Sequence, residues 1–267
     1  VSRYPSGFIK MDIDMDEASV FSAHVQHQGP VTHLTLNRPD KLNAVSAMLI
    51  EELLSGFSEA EERGSQLVVF TGEGKSFSAG FDLSGLDQQS DAELVLRFIR
   101  VETLLQKIYA APMTTMALAH GRCFGAAADI FSVCSRRIAA PATTFQMPGL
   151  RFGVVLGTRR LARLVGTDNA REILESTRVF SIEDGLAMNF VQLQAEQDSW
   201  PSVIETATEA AQVLNSPAKL SMLRNTREDL ADLDRDMAEL VRSASVPGLV
   251  DRIHDFVKAI NQKSRSA

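Results

Sequence analysis

The sequence predicts an α/β fold in which strands and helices alternate in ββα-like units, followed by a run of helices at the C-terminus. Short apolar runs such as 67–70 are bounded by glycine turns, which is typical of buried strands. The segments between the strands repeat apolar side chains at helical spacing, as do Leu94, Phe98, Val101 and Leu105. From residue 168 onward the pattern is helical.

Size and charge limit the classes of function. The 267 residues suffice for one large domain, or for a domain with a small appendage. The net charge of −7 argues against nucleic acid as the main ligand, because phosphate binding needs a basic surface. No apolar run approaches the length that spans a membrane, so we expect no membrane partner.

The chain divides into three predicted segments. Residues 1–18 are expected to form a mobile arm without the apolar core of a signal peptide. Residues 19–200 form the predicted core, and residues 201–267 a helical C-terminal region. Cys123 and Cys134 lie in apolar context and are expected to be free buried thiols, which favours a reducing, cytoplasmic location. No cysteine or histidine spacing typical of a metal site is present, so no metal is expected.

The elements follow in order. A hairpin over 20–27 and 31–37 turns at Gly29-Pro30, and a helix runs from Ser46, its predicted N-cap, to Arg63 before Gly64. A strand at 66–71, a helix at 91–109, a strand at 113–119 and a helix beginning at Ala126 come next. Short strands near 136–140 and 143–146 precede a helix at 158–165. The helical tail is predicted at 168–177, 182–188, 201–214, 217–242 and 249–263.

Two loops of small residues follow predicted strands, at 75–83 and at 121–129. Small side chains let a ligand approach backbone N–H groups closely. One N–H from each loop could therefore bind a single developing oxyanion. This arrangement predicts an enzyme that stabilises an enolate.

Four stretches in the same order resemble the crotonase, or enoyl-CoA hydratase/isomerase, superfamily. They are Asn37-Arg38-Pro39-Asp40-Lys41-Leu42-Asn43-Ala44, Phe77-Ser78-Ala79-Gly80-Phe81-Asp82-Leu83, residues 120–130, and residues 145–166. The resemblance covers about residues 20 to 195. It implies a spiral of ββα units with a C-terminal helical oligomerisation region, assembled as a homotrimer or hexamer. It also implies an acyl-CoA thioester as substrate, with coenzyme A as part of that substrate and no separate cofactor.

The resemblance assigns the site residues. Ala79 and Ala126 fall at the two oxyanion-hole positions, the second of which is usually glycine in the family. Asp129, one helical turn after Ala126, falls at the position of the first catalytic carboxylate and is expected to transfer a proton. Its competing interpretation is an acid that stabilises the first turn of a helix.

The resemblance also implies contacts with coenzyme A. Lys41, Leu42 and Ala44 match the stretch beside the adenine and phosphates. Ser78 and Leu83 flank the first oxyanion loop and are expected to touch the same ligand. Solvent exposure without a ligand is the alternative for Lys41.

Gly149 departs from the family pattern. Hydratases carry their second catalytic glutamate there, and glycine cannot transfer a proton. A reaction with one carboxylate is therefore expected, and isomerisation, hydration and decarboxylation stay open. The alternatives are a CoA-thioester binding protein that has lost catalysis and, with less support, a structural oligomer without a ligand.

Overall fold

The computed structural model describes residues 21–266, without the side chains of Ser216, Glu228, Asp229 and residues 263–266. The arm predicted for residues 1–18 lies outside the described residues.

Nine strands in this part of the chain form two sheets. The strands are β1 (Ala23–Gln28), β2 (Val31–Leu36), β3 (Leu67–Gly72), β4 (Thr114–Ala119), β5 (Arg122–Phe124), β6 (Arg136–Ala139), β7 (Thr144–Gln146), β8 (Phe180–Ser181) and β9 (Leu193–Gln194). The larger sheet has the order β1-β2-β3-β4-β6-β9, and the smaller has the order β5-β7-β8. The predicted hairpin is confirmed as the antiparallel pair β1 and β2, whereas the neighbours from β2 to β9 are parallel.

The helices, in chain order, are α1 (Ala47–Glu62), α2 (Asp91–Ala110), α3 (Ala126–Val133), α4 (Thr158–Val165), α5 (Thr167–Ser176), α6 (Ile182–Ala187), α7 (Trp200–Gln212), α8 (Ser216–Thr226), α9 (Leu233–Ala244) and α10 (Leu249–Ser266). Ser46 caps α1 as predicted, because its side chain accepts from the N–H of Leu49. Ser90 and Glu93 form a capping box at the start of α2.

The single helix predicted over 217–242 is wrong. The chain leaves the helical conformation at Arg227, with φ −124° and ψ 71°, and α9 begins at Leu233. The Arg227 guanidinium stacks 4.2 Å above the ring of Tyr109 and donates to the Tyr109 carbonyl. This contact with the end of α2 is invisible in the local sequence pattern.

A strand of the larger sheet, a strand of the smaller sheet and a helix make each repeated unit of the fold. The unit β4, β5 and α3 shows this order, and an isolated bridge from Ser78 to Cys123 continues the smaller sheet into the loop after β3. The predicted α/β spiral of ββα units with C-terminal helices is confirmed. The strands β5, β8 and β9 were not predicted, because strands of two or three residues are too short to show a periodic pattern.

The C-terminal helices cover two faces of the core. Trp200, Ala207 and Ala211 of α7 pack against the larger sheet. Leu240 of α9 and Phe256 of α10 pack against α2 instead, in a separate apolar cluster. The boundary between core and helical region near residue 200 stays a prediction. Within the described residues, no helix is both long and apolar enough to cross a membrane.

Candidate functional site

The loop after β3 is held by a parallel bridge to the segment before α1. The N–H of Val45 donates to the Gly80 carbonyl at 2.8 Å, and the N–H of Asp82 donates to the Val45 carbonyl at 3.1 Å. Phe81 lies between these two bonds, and its own N–H has no partner among residues 21–266.

The prediction that Ala79 supplies an oxyanion-hole N–H is wrong. The N–H of Ala79 donates to the Leu42 carbonyl at 2.8 Å and is therefore used within the fold. The Ala79 side chain does line the cavity described below. Phe81, two residues later, has an N–H without a hydrogen-bond partner among the described residues and also lines the cavity. Sequence spacing could not separate the two, because the hydrogen bond to Leu42 joins loops that are 37 residues apart.

The second loop ends at Gly125, where α3 begins. The N–H of Gly125 donates to the Gln146 carbonyl at 2.7 Å, and the Gly125 carbonyl accepts from the N–H of Asp129. Ala126 is the first helical residue, and no carbonyl in the described part of the chain accepts from its N–H. The positive end of the helix dipole adds to the attraction for an anion at this point.

The two loops touch through their glycines. A Cβ atom on Gly80 would lie 2.5 Å from the Phe124 carbonyl oxygen and 3.5 Å from the Gly125 Cα atom. Gly80 has φ +93° and Gly125 φ +51°, so both adopt backbone conformations that L side chains rarely adopt. The residues that follow these glycines, Phe81 and Ala126, line the same cavity.

We predict that Gly80→Ala separates the two loops. The new methyl group overlaps the Phe124 carbonyl, so the free energy of unfolding should fall about 1–3 kcal/mol further than in Gly64→Ala. Gly64 is a matched control, because it has φ +70° and a Cβ atom there would meet no atom within 4 Å. Urea unfolding of both variants makes the comparison. Equal losses would show that left-handed strain, not loop contact, sets the cost.

The cavity holds about 200 Å³ and is mostly apolar. Phe81 stacks on Phe98 with ring centroids 4.3 Å apart, and Phe152 lies 5.2 Å from Phe256 of α10. Arg97 stacks 4.1 Å above Phe81 and donates to the Asp82 carbonyl, which fixes the Phe81 ring in this wall. An apolar pocket of this size suits an acyl group.

Asp129 lies in the cavity wall and is only 5% exposed. Desolvation raises the pKa of its carboxyl to about 8, the positive charge of Arg160 opposes this rise, and the negative charge of Glu102 adds to it. Its Oδ1 atom has no hydrogen-bond partner among the described residues. A buried carboxyl that titrates near neutrality, with an unsatisfied oxygen, can exchange a proton with a bound molecule.

A buried ion-pair network behind Asp129 was not predicted from the sequence. Arg160 of α4 donates two hydrogen bonds to Glu102 of α2, at 2.8 and 2.6 Å, and one to Asp236 of α9 at 2.9 Å. The side chains of Arg160 and Glu102 are 2% and 1% exposed. The one feature of the sequence that could have indicated this network is Glu102, a glutamate within the apolar stripe of α2.

Gly149 lines the same cavity and carries no proton-transfer group, as expected. A Cβ atom there would lie 3.1 Å from the Val154 carbonyl, so the local turn leaves little room for a side chain. Gly157 is also close, because a Cβ atom on it would lie 2.6 Å from Asp129 Oδ1. Neither Gly157 nor Thr158, which lines the cavity, was predicted as a site residue.

The residues expected to bind coenzyme A differ in whether a ligand can reach them. Ser78 is fully buried, and its hydroxyl donates to the Asn43 carbonyl at 2.7 Å and accepts from the N–H of Gly80. The prediction that Ser78 touches the ligand is therefore wrong, and its side chain instead joins the two loops. Leu83 lines the cavity, and Lys41 is exposed.

Leu42 adopts a left-handed conformation with φ 49° and accepts from the N–H of Ala79 through its carbonyl. The Ala44 carbonyl accepts a hydrogen bond from the Arg38 guanidinium. Arg38 also pairs with Asp82 at 2.7 Å, so the stretch with Lys41 is tied to the loop that carries Phe81.

The family model described as Enoyl-CoA hydratase/isomerase matches residues 26–243. The crystal structure of a Bordetella parapertussis protein described as an enoyl-CoA hydratase/isomerase has a TM-score of 0.87 and 42% identity, covering 89% of this chain and 98% of that one. The short-chain-enoyl-CoA hydratase of Clostridium acetobutylicum is 28% identical over 80% of this chain and 84% of its own. The Mycobacterium tuberculosis protein named probable enoyl-CoA hydratase echA6 is 32% identical over 65% of this chain and 72% of its own.

The structural similarity shows the class of protein. This is a crotonase-fold protein, with two sheets built from ββα units and helices at the C-terminus. The family match extends over well over half of the sequence and includes both small-residue loops and Asp129. The chain belongs to the enoyl-CoA hydratase/isomerase family, and it is an acyl-CoA enzyme of that family.

Proposed function

We propose that this enzyme holds the thioester oxygen of an acyl-CoA between the N–H groups of Phe81 and Ala126. Hydrogen bonds from these two N–H groups stabilise the negative charge that develops on the oxygen of the enolate, and Asp129 transfers the proton at the α-carbon. The proposal rests on the N–H groups of Phe81 and Ala126, which have no hydrogen-bond partner among the described residues. Each follows one of the two glycines that lie in contact, and both residues border the cavity that contains the buried Asp129 carboxyl.

Proton exchange tests the proposal directly. The protein is incubated with hexanoyl-CoA in heavy water, and deuterium at the α-carbon is followed by mass spectrometry. A saturated acyl chain can form the enolate but cannot be hydrated or isomerised, so exchange reports enolate formation alone. We expect exchange well above that of hexanoyl-CoA without protein.

Ala126→Pro is the sharpest variant for the oxyanion hole. Proline is tolerated at the first helical position; it removes the N–H and places a ring carbon where the hydrogen pointed. Because loss of one such donor lowers rates by about 10²–10³-fold, exchange should fall by that factor. Ala47→Pro is the control, since Ala47 is the first residue of α1 and is exposed. Equal rates in both variants would remove Ala126 from the mechanism.

The second candidate is a CoA-thioester binding protein without catalysis, which Gly149 favours because it supplies no second carboxyl. Binding of hexanoyl-CoA without any α-proton exchange would support this candidate and contradict the enolate proposal.

Further parts of the proposal rest on the family. Lys41, Leu42 and Ala44 would lie along coenzyme A, and Leu83 would border the acyl chain. A homotrimer or hexamer is supported by large apolar side chains that are exposed near α7 and α8, among them Val213 at 77% and Met222 at 52%. A cytoplasmic location stays a prediction, and both cysteines are free and buried as expected.

A further inference from the structure

A second cavity lies at the start of β4, between that strand and α8. It holds about 230 Å³, and Thr114, Thr115 and residues of α8 border it. The loop that leads to Ala126 follows the other end of β4, after Ala119. Within the described part of the chain, no residue lines both this cavity and the one that contains Asp129. A molecule bound at the start of β4 would therefore leave the reaction centre open.

A buried lysine borders this second cavity. Lys219 of α8 is only 7% exposed, and we call the space beside it the Lys219 cavity. Its ammonium donates to Gln66 Oε1 at 2.7 Å, which is its one hydrogen bond within residues 21–266. An ammonium has three N–H donors, so most of its hydrogen-bonding capacity is unused. Burial without an anionic partner is costly, and it lowers the pKa of the Lys219 ammonium.

The charges around Lys219 favour a negatively charged ligand. Glu61 borders a smaller neighbouring cavity that Lys219 also lines, but its carboxylate pairs with Lys107 at 3.0 Å. No aspartate or glutamate whose side chain the structure describes lines the Lys219 cavity, whereas Arg227 adds a second positive charge to its wall. Stacking on Tyr109 and a hydrogen bond to the Tyr109 carbonyl hold the Arg227 guanidinium in place. The wall therefore attracts an anion.

The rest of the wall indicates which kind of anion fits. Ile108 and Met113 are buried apolar residues of this wall, and Leu223 of α8 lines it as well. The Thr114 hydroxyl, which has no partner among the described residues, offers a further donor. A ligand with a carboxylate at one end and a short hydrocarbon chain matches both parts of the wall. A fully polar anion would leave the apolar side chains uncovered.

We propose that the Lys219 cavity binds a short-chain carboxylate. The carboxylate group lies at the Lys219 ammonium, and the hydrocarbon chain lies against Met113 and Leu223. This is a ligand site separate from the reaction centre, and it does not depend on the enolate chemistry. Its failure would leave the proposed function intact.

Calorimetry with sodium hexanoate tests the site. The protein is first saturated with hexanoyl-CoA, so that the cavity containing Asp129 is occupied. We expect hexanoate to bind the wild-type protein under this condition, about tenfold more tightly than hexan-1-ol, which has the same chain length without the charge. Lys219→Met should lower the affinity for hexanoate about tenfold or more, because it removes a hydrogen bond to a charged group. Lys219→Arg retains the charge and should retain most of the binding.

Lys107→Met is the matched control, because it removes a lysine charge that borders neither cavity beside Lys219. It should leave the affinity for hexanoate unchanged. Thermal unfolding without hexanoate checks that Lys219→Met folds, and its Tm should not fall below that of the wild-type protein, since no unpaired charge is then buried.

Three results would overturn the proposal. The first is equal affinity for hexanoate in the wild-type protein and Lys219→Met, or equal affinity of the wild-type protein for hexanoate and hexan-1-ol. The second is binding of hexanoate only in the absence of hexanoyl-CoA, which would place it in the cavity that contains Asp129. The third is no binding of hexanoate, together with a smaller assembly of Lys219→Met in sedimentation. In that case the ammonium pairs with a carboxylate of a second copy of the chain.

Discussion

Asp129→Asn is expected to abolish the pH dependence of stability that this carboxyl imposes, and to lower α-proton exchange by about 10²–10⁴-fold. The exchange rate falls because an amide cannot accept the proton from the α-carbon. In the wild-type protein, exchange should rise with pH through about 8, where the Asp129 carboxyl ionises.

The effect on stability follows from the raised pKa. The pKa of the Asp129 carboxyl is about 8 in the folded protein, against an ordinary value of 3.8. Below pH 4 or so the carboxyl is protonated in both states, and its full stabilising contribution is present. Between the two pKa values the unfolded chain releases the proton while the folded protein keeps it, so the free energy of unfolding falls as pH rises. Above about 8 the loss is complete.

The expected size is large because one pKa unit corresponds to about 1.4 kcal/mol. From about pH 5 to pH 8 the wild-type protein should lose on the order of 4 kcal/mol through this group, and Asp129→Asn none of it. Urea unfolding across this pH range measures the difference. Asp82→Asn is the control, because the pKa of Asp82 is lowered and its carboxyl does not titrate in this window. Parallel pH curves for wild type and Asp129→Asn would contradict the raised pKa.

Arg160→Met is expected to destabilise the protein by about 3–5 kcal/mol, because it leaves the buried Glu102 carboxylate without its charged partner. Glu102 is 1% exposed, and within the described part of the chain its other side-chain hydrogen bond comes from Gln106. The Asp236 carboxylate keeps a charged partner in this variant, because Arg159 donates hydrogen bonds to it at 2.8 and 2.7 Å. The free energy of unfolding at neutral pH measures the loss.

The double variant Glu102→Met/Arg160→Met isolates the cause. When both charged side chains are replaced by apolar ones, no unpaired charge is buried. Most of the lost free energy of unfolding should therefore return. If the double variant is as unstable as Arg160→Met, lost packing rather than an unpaired charge is responsible. Arg160→Met should also shift the pH dependence of α-proton exchange upward, because the Arg160 charge lowers the pKa of Asp129.

The sequence alone was sufficient for the fold class, for helices such as α1 and α2, and for the first hairpin. Periodic apolar side chains and capping residues are local signals, and they predict elements such as α1 and α2 because each helix carries its own pattern. The two small-residue loops and the position of Asp129 were also identified from the order of the motifs. Very short strands and the break in the helix at Arg227 could not be predicted, since they depend on partners far away in the chain.

The tertiary structure decided which groups of the site are available. Ala79 and Phe81 are two positions apart in one loop. The hydrogen bond to the Leu42 carbonyl uses the N–H of Ala79, whereas the N–H of Phe81 has no partner among the described residues. The pairing of Glu102 with Arg160, and the approach of Gly157 to Asp129, join helices that are far apart in sequence. Availability of a donor and the pKa of a carboxyl depend on every neighbour in space, which is why residue type and spacing identify a site but do not assign its chemistry.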